Sequence, residues 1–271
     1  MSALPNPSIP KALTGLIERA TQADGQPPFS DQSLVEFARG ERILLERDHG
    51  AALLAADEFE LVIDPDARGR GHGTALLEAV LARTPAPESA WAHGDHPGSR
   101  ALAARFGFES VRTLLQLHAD VPTAAPMAGR TIPFKPDTDD TAWLALNARA
   151  FSDHPEQGRL TQRDLDARMA EPWFDAGDFL LLWDNDRLVA FCWLKVEGAI
   201  GEFYAVGVDP TRQGEGFGRV IMDAGLARLA EHGIRKAALY VEADNEPALA
   251  LYKRYGFARQ TIDVRYSRQP H

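Results

Sequence analysis

A mixed α/β fold of the α+β type, built twice in tandem, is what this 271-residue sequence predicts. Three observations carry that expectation. First, the chain repeats itself: IDPDARGRGHG at 63–73 returns as VDPTRQGEGFG at 208–218, a constant offset of 145. Each copy runs on into a helical stretch, TALLEAVLAR or RVIMDAGLARLAEHG, and later closes on RFGF (105–108) or RYGF (254–257). One glycine-rich hexapeptide arises by chance, but the same succession of elements twice points to a duplicated unit. Second, in the second half strand-like runs outnumber helical ones and are partly joined by tight turns. That pattern indicates helices on a largely antiparallel sheet, not a doubly wound one. Third, 45% hydrophobic and 25% charged residues are ordinary for a globular chain and supply a core.

The elements follow in chain order. The first glycine loop is followed by the helix TALLEAVLAR, and the segment ADVPTAAPMAGRTIPFKPD (119–137) shows neither helical nor strand period. It separates an expected first domain, 1–124, from a second, 130–271. The second half opens with a helix near TDDTAWLALNARAF and a strand FLLLWDN, then a hairpin turn at Asn185-Asp186. Two more strands follow, LVAFCWLKV and GEFYAVGVD, with a glycine-containing turn between them. After the second glycine loop come a helix, the strand AALYVEA, the short helix NEPALALYKRYG and the closing strand TIDVRYSR.

Charge and composition exclude several classes. The 29 Lys+Arg against 39 Asp+Glu leave a net charge of −10, and both halves are acidic, so nucleic acid is not the expected partner. No apolar run reaches the ~18 residues that a membrane span needs. The start, MSALPNPSIPKALTGL, has no long apolar stretch and reads as a chain without a secretion signal. The single cysteine, Cys192, leaves no internal disulfide and no thiolate zinc site, so a reducing, cytoplasmic setting is expected. Cys192 lies in the apolar strand VAFCWLKV, where a free cysteine behaves as a small hydrophobe. His93, His96 and His154 lack the spacing of a metal site, and no metal is assigned.

QGEGFGR (213–219) lies between a strand and a helix. Closely spaced glycines there let backbone N–H groups converge on an anion, and the helix N-terminus adds roughly half a positive charge. A pyrophosphate suits such a loop; taken alone, it also reads as a glycine-rich tight turn. No Lys-Ser/Thr follows at Walker spacing and G-x-G-x-G is not G-x-G-x-x-G, so neither an NTPase nor a dinucleotide enzyme is supported. Gly207, inside the preceding strand, suggests a bulge or the close approach of a ligand.

With those residues in view, VGVDPTRQGEGFGR followed by LYVEADNEPALALYKRYGF resembles the GCN5-related N-acetyltransferases. Both halves resemble that fold. HPEQG (154–158), GEFYAVGVDP (201–210) and LYVEADN (239–245) are closer still to the mycothiol synthase family, tandem enzymes that acetylate the cysteinyl amine of a cysteinyl-glucosaminyl-inositol. The resemblance implies acetyl-CoA as co-substrate, a small aminothiol glycoconjugate as acceptor, and a monomer. It implies acetyl-CoA contacts in the second half at Val206, Gly207, Val208, Gln213, Gly214, Glu215, Gly216, Phe217, Gly218 and Arg219. Asn245, Glu246, Pro247, Ala248, Leu249 and Ala250 complete that set. In the first half the corresponding residues are Leu61, Val62, Ile63, Arg68, Gly69, Arg70, Gly71, His72 and Gly73.

The same resemblance assigns roles. Glu202 is the first choice as base for the amine, directly or through a water; the alternative is a solvated edge-strand carboxylate. The strand Val206–Val208 is expected to offer backbone N–H to the acetyl carbonyl. Tyr252 is the natural acid for the departing thiolate, with Tyr266 in reserve; a tyrosine on a short amphipathic helix is otherwise a core side chain with its hydroxyl at the rim. Glu156, Lys195 and Tyr240 match positions around the sugar–inositol, and Asp31 is a candidate from the first domain; each also reads as a surface polar group. The first domain keeps its loop but has Val62 for Gly207, and Ala103 and His96 for Tyr252 and Asn245 at an offset of 149. It is expected to hold acetyl-CoA without turning it over. Two other readings stand beside this one: an acetyltransferase for a different small amine, and an acyl-CoA-binding sensor without chemistry.

Overall fold

The structure is a computed structural model and describes residues 9–83, 87–123, 131–152 and 157–268. In its first half it places α1 (Lys11–Asp24), α2 (Asp31–Ala38), β1 (Ile43–Arg47), β2 (Gly50–Leu54), β3 (Glu58–Ile63), α3 (His72–Leu81), β4 (Ser89–His93), α4 (Pro97–Phe106) and β5 (Glu109–Asp120). The second half holds β6 (Thr131–Pro133), α5 (Asp140–Ala150), α6 (Gln162–Met169), β7 (Phe179–Asp184), β8 (Arg187–Glu197) and β9 (Ile200–Val208). It ends with α7 (Phe217–Glu231), β10 (Lys236–Glu242), α8 (Glu246–Arg254) and β11 (Ala258–Ser267).

Two compact units emerge, but they do not follow chain order. The first comprises Met1–Leu115, Glu242–Asp244 and Thr261–His271; the second comprises Gln116–Val241 and Asn245–Gln260. The division expected at 124/130 assigned TIDVRYSR to the second domain. The structure instead gives the first unit those closing residues and gives the second unit the end of β5.

In the first unit β1, β2 and β3 are antiparallel neighbours, β3 runs parallel to β4, and β4 pairs antiparallel with β11. Strand β2, GAALL, is buried throughout because both faces of the sheet are covered. Its alternation divides it between two cores: Ala51 and Leu53 pack with Leu13, Leu16 and Phe37, while Ala52 and Leu54 pack with Leu76, Val80 and Phe108. α1 exists because Leu13, Leu16 and Ala20 fall on one helical face, and Gly25, with φ of 74°, closes it. α2 is capped by Ser30, whose side chain accepts from the Ser33 N–H.

The second unit has β6, β7, β8 and β9 antiparallel in sequence and β10 parallel to β9, the mixed, largely antiparallel sheet that the sequence predicts. Its core under α5 is aromatic: Trp193 and Phe134 both stack on one ring, Phe179, at 4.3 and 4.4 Å. α7 covers the other face, where Gly225 is required, since a Cβ there would lie 2.4 Å from Phe203 and 3.0 Å from the Cys192 sulfur. Cys192 is fully buried, and burial pushes its thiol well up, so it is an inert packing group as expected.

Candidate active site

The glycine loops form the same way in both units. Asp209 begins a 3₁₀ turn over Pro210–Arg212, its carboxylate accepting from the Thr211 N–H and hydroxyl and from Arg187. Burial opposes the Asp209 charge, but these donors hold the carboxyl far below its ordinary range. Gly214 and Gly216 then take φ of 83° and 90°, and α7 starts at Phe217 without a side-chain cap. Asp64, Gly69 (75°), Gly71 (87°) and the uncapped start of α3 repeat this in the first unit. Helices α2, α6 and α8 carry Ser30, Thr161 and Asn245 as caps. The loop helices start without a side-chain cap, as α1, α4 and α5 also do. What sets them apart is the open space around the Cβ positions of Gly69, Gly71, Gly214 and Gly216 before them. Residues and geometry therefore fit a pyrophosphate.

Gly218 and Gly73 have a different duty. A Cβ on either would come within 3.2 and 3.1 Å of Leu251 and Leu102, so each lets its loop helix lie close to the next helix. Glu215, expected at the pyrophosphate, is exposed and held by Arg212 at 2.7 Å. Arg68 is likewise taken: it grips Asp24 through both terminal nitrogens at 2.6 and 2.7 Å. Asn245 caps α8 by accepting from Ala248, and Glu246, Pro247, Ala248, Leu249 and Ala250 form the first turns.

The parallel pairing of β9 with β10 runs from Ile200–Lys236 to Phe203–Leu239 and stops there, although β9 continues to Val208. The strands splay beyond that point. The bulge expected at Gly207 is elsewhere. Cross-strand pairs between β8 and β9 step from Trp193–Ala205 to Leu194–Phe203, so the extra residue is Tyr204. Gly207 sits in regular register opposite Phe191, whose ring would lie 2.4 Å from a Cβ, and that packing demands the glycine.

Glu202 stands just before the bulge, opposite Lys195. Burial raises its carboxyl pKa, Lys195 lowers it, and the net shift is upward. Burial works against the Lys195 charge, but Glu197 at 2.8 Å and Glu202 keep it above its ordinary range. Lys195 also lies over the Trp173 ring at 5.3 Å, and Trp173 neighbours Tyr204 at 5.0 Å. The Tyr204 hydroxyl accepts from Arg168 at 3.0 Å. Trp173, Tyr204 and Arg168 are members of this cluster that the sequence reading missed. Tyr204 was findable, since it shares a strand face with Glu202; Trp173 comes from a segment with no strand or helix period.

Tyr252 lies on α8 at 8% exposure beside Phe257, and burial raises its phenol, keeping it protonated. Tyr240 is exposed and accepts a hydrogen bond from Gln116 at 2.8 Å. Tyr266 belongs to the core of the first unit with Phe59 and Val264, not to the unit holding Glu202 and Tyr252. Asp31 is exposed at the start of α2, in the first unit. Glu156 and His154 lie outside the described residues. Among the described residues no group of three His, Cys, Asp or Glu side chains could hold a metal ion, and no helix is long and apolar enough to cross a membrane.

In the first unit Leu61, Val62, Ile63, Arg68, Gly69, Gly71, His72 and Gly73 line one groove of about 500 Å³; Arg70 is exposed. β3 and β4 splay as β9 and β10 do, pairing only from Glu58–Ser89 to Glu60–Trp91. Glu58 thus occupies the place of Glu202, but the β2–β3 register is unbroken and Arg42 holds Glu58 at 2.6 Å.

The family model described as "Acetyltransferase (GNAT) family" matches residues 30–108 and 142–257. Among curated proteins, the mycothiol acetyltransferase of Clavibacter michiganensis is 46% identical, covering 97% of this chain and 93% of its own length. That of Thermomonospora curvata is 43% identical, covering 98% and 96%. Among solved structures, a GCN5-related N-acetyltransferase from Sphaerobacter thermophilus matches with a TM-score of 0.71 at 20% identity, over 94% of this chain and 90% of its own. A tandem GNAT protein from the clavulanic acid pathway matches at 0.60 and 20% identity, over 95% and 94%; these two bear on the fold alone. Matched by one family model in both halves and by full-length relatives above 40% identity, the chain belongs to the GNAT acetyltransferases, and within them to the mycothiol acetyltransferase family.

Proposed function

We propose that the second unit transfers acetyl from acetyl-CoA to the cysteinyl amine of a cysteinyl-glucosaminyl-inositol, giving mycothiol, in the cytoplasm and as a monomer. The observation that carries this reading is the placement of a half-buried glutamate, Glu202, at the last paired positions before β9 and β10 splay. Acetyl-CoA supplies an activated thioester; the N–H groups at the start of α7 would hold its pyrophosphate, and every second N–H of the unpaired β9 edge faces its acyl arm.

Glu202 takes the amine proton. Its raised pKa makes it a stronger base than an exposed glutamate. An α-amine titrates near ~8, so only modest help is needed. The backbone of Val206–Val208 steadies the carbonyl oxygen. Tyr252, kept protonated by burial, gives its proton to the departing thiolate. Trp173, Tyr204, Lys195 and Tyr240 offer aromatic faces and polar tips suited to a polyol, and a carboxylate such as Glu156 would suit its hydroxyls by chemistry alone.

The first unit, on this reading, holds a CoA thioester without transferring its acyl group. Its groove and loop are formed, but the bulge is missing, Glu58 is held by Arg42, and Ala103 replaces Tyr252. An amine panel with acetyl-CoA tests the whole reading. The conjugate should be turned over in strong preference to free cysteine, because the polyol adds binding that a bare amino acid lacks. Equal turnover of free cysteine, or none of the conjugate, would overturn it.

A further inference from the structure

The groove of the first unit does not end at its glycine loop. Its wall residues Leu61, Ala92, Ser99 and Leu102 also line a second, apolar cavity of about 60 Å³. The two succeed each other along the strands. The groove touches Val62, Ile63 and His93 at the open ends of β3 and β4, whereas the inner cavity touches Phe59 and Ala90, which still pair. The inner cavity therefore lies at the vertex of the splay, ahead of the acyl end of a thioester whose pyrophosphate sits on Gly69–Gly73.

The second unit shows why the cavity exists. At the offset of 149, Ala90, Ala92 and Ala103 correspond to Leu239, Val241 and Tyr252. The correspondence holds in three dimensions: Phe59 pairs with Ala90 as Phe203 pairs with Leu239, and Gly73 abuts Leu102 as Gly218 abuts Leu251. All three exchanges remove side-chain volume on one side of the splay. Tyr252 places its ring 5.9 Å from Phe257; Ala103 leaves that space in front of Phe108 empty, and Ala103 and Phe108 both line the cavity.

We infer that the first unit is a binding site for a CoA thioester with a short acyl chain longer than acetyl, of the propionyl-to-butyryl class, whose tail enters this cavity. The inference rests on the reading that this unit holds CoA. About 60 Å³ is several times the ~10–15 Å³ that one water-sized group needs, and the lining is largely apolar, Ser99 and Tyr266 being its hydroxyl-bearing members.

The test uses the full chain with the second unit's loop closed by Gly216→Asp, which sets a carboxylate against the pyrophosphate; one bound equivalent in place of two verifies the closure. Calorimetric titrations with free CoA, acetyl-CoA, propionyl-CoA and butyryl-CoA should show rising affinity along the acyl series, butyryl-CoA binding about tenfold tighter than acetyl-CoA for two further buried methylenes. Ala103→Tyr, and separately the milder Ala90→Val, should abolish that gain while free CoA binds as before, which shows the groove intact. Equal affinity for acetyl- and butyryl-CoA, or a gain that survives both substitutions, overturns the inference and leaves the CoA reading standing. Failure of free CoA and of every thioester to bind overturns both.

Discussion

Replacing Glu202 by glutamine keeps its volume and removes the proton acceptor. The magnitude follows from the site and the substrate. With an amine pKa near ~8, about one acceptor molecule in ten is neutral at pH 7. A positioned base contributes ~10²–10⁴-fold, and an amine so easily deprotonated calls for the low end, about 10². At pH 9 about nine in ten acceptor molecules are already neutral, so the penalty should narrow to roughly tenfold. Acetylated product is quantified by chromatography between pH 5 and 9 at saturating acetyl-CoA. Burial shifts the Glu202 carboxyl above 4.5, so the wild-type rate should show an acid limb above the ordinary glutamate range, absent in Glu202→Gln. Lys195, opposite in register, works against that upward shift by favouring the charged carboxylate. Wild-type turnover of the variant at pH 7, or a penalty constant with pH, would refute the assignment.

Tyr252→Phe should lower kcat by about 10²-fold with the KM for acetyl-CoA nearly unchanged, whereas Tyr266→Phe, in the core of the first unit, should leave kcat alone; near-wild-type activity of Tyr252→Phe removes it as the acid. Gly207→Ala drives a methyl into the buried Phe191 ring and should cost about 1–3 kcal/mol in denaturant unfolding; a loss below ~0.5 kcal/mol means that the strand shifts freely. His93 sits between Asp263 at 2.7 Å and Glu60 at 3.3 Å; burial opposes its charge, but the two carboxylates raise it to about 9. A raised folded-state pKa contributes stability that is complete below about 6.5 and lost as pH rises through about 9, up to ~3 kcal/mol. The stability difference between wild type and His93→Gln should shrink across that window, and a difference independent of pH would disprove the charged clamp.

Some of this molecule is local and legible from one strand of text. The first two glycines of RGRGHG and of QGEGFG take positive φ because their own backbone requires it, so the duplicated anion loops, and with them the fold class and the family, are readable without coordinates. The α8 cap at Asn245 is equally local. Other features belong to pairs of segments far apart in sequence. A bulge is a property of register between two strands, and only the β8–β9 ladder decides that it falls at Tyr204 and not at Gly207. Gly207 is a glycine because of Phe191, across the sheet, and Trp173 joins Lys195 from a segment with no period. Tyr266 reads as the last strand of a second domain until pairing with β4 places it in the core of the first. Side-chain periodicity tells which face of an element is buried, but which partner buries it is settled by packing across the chain.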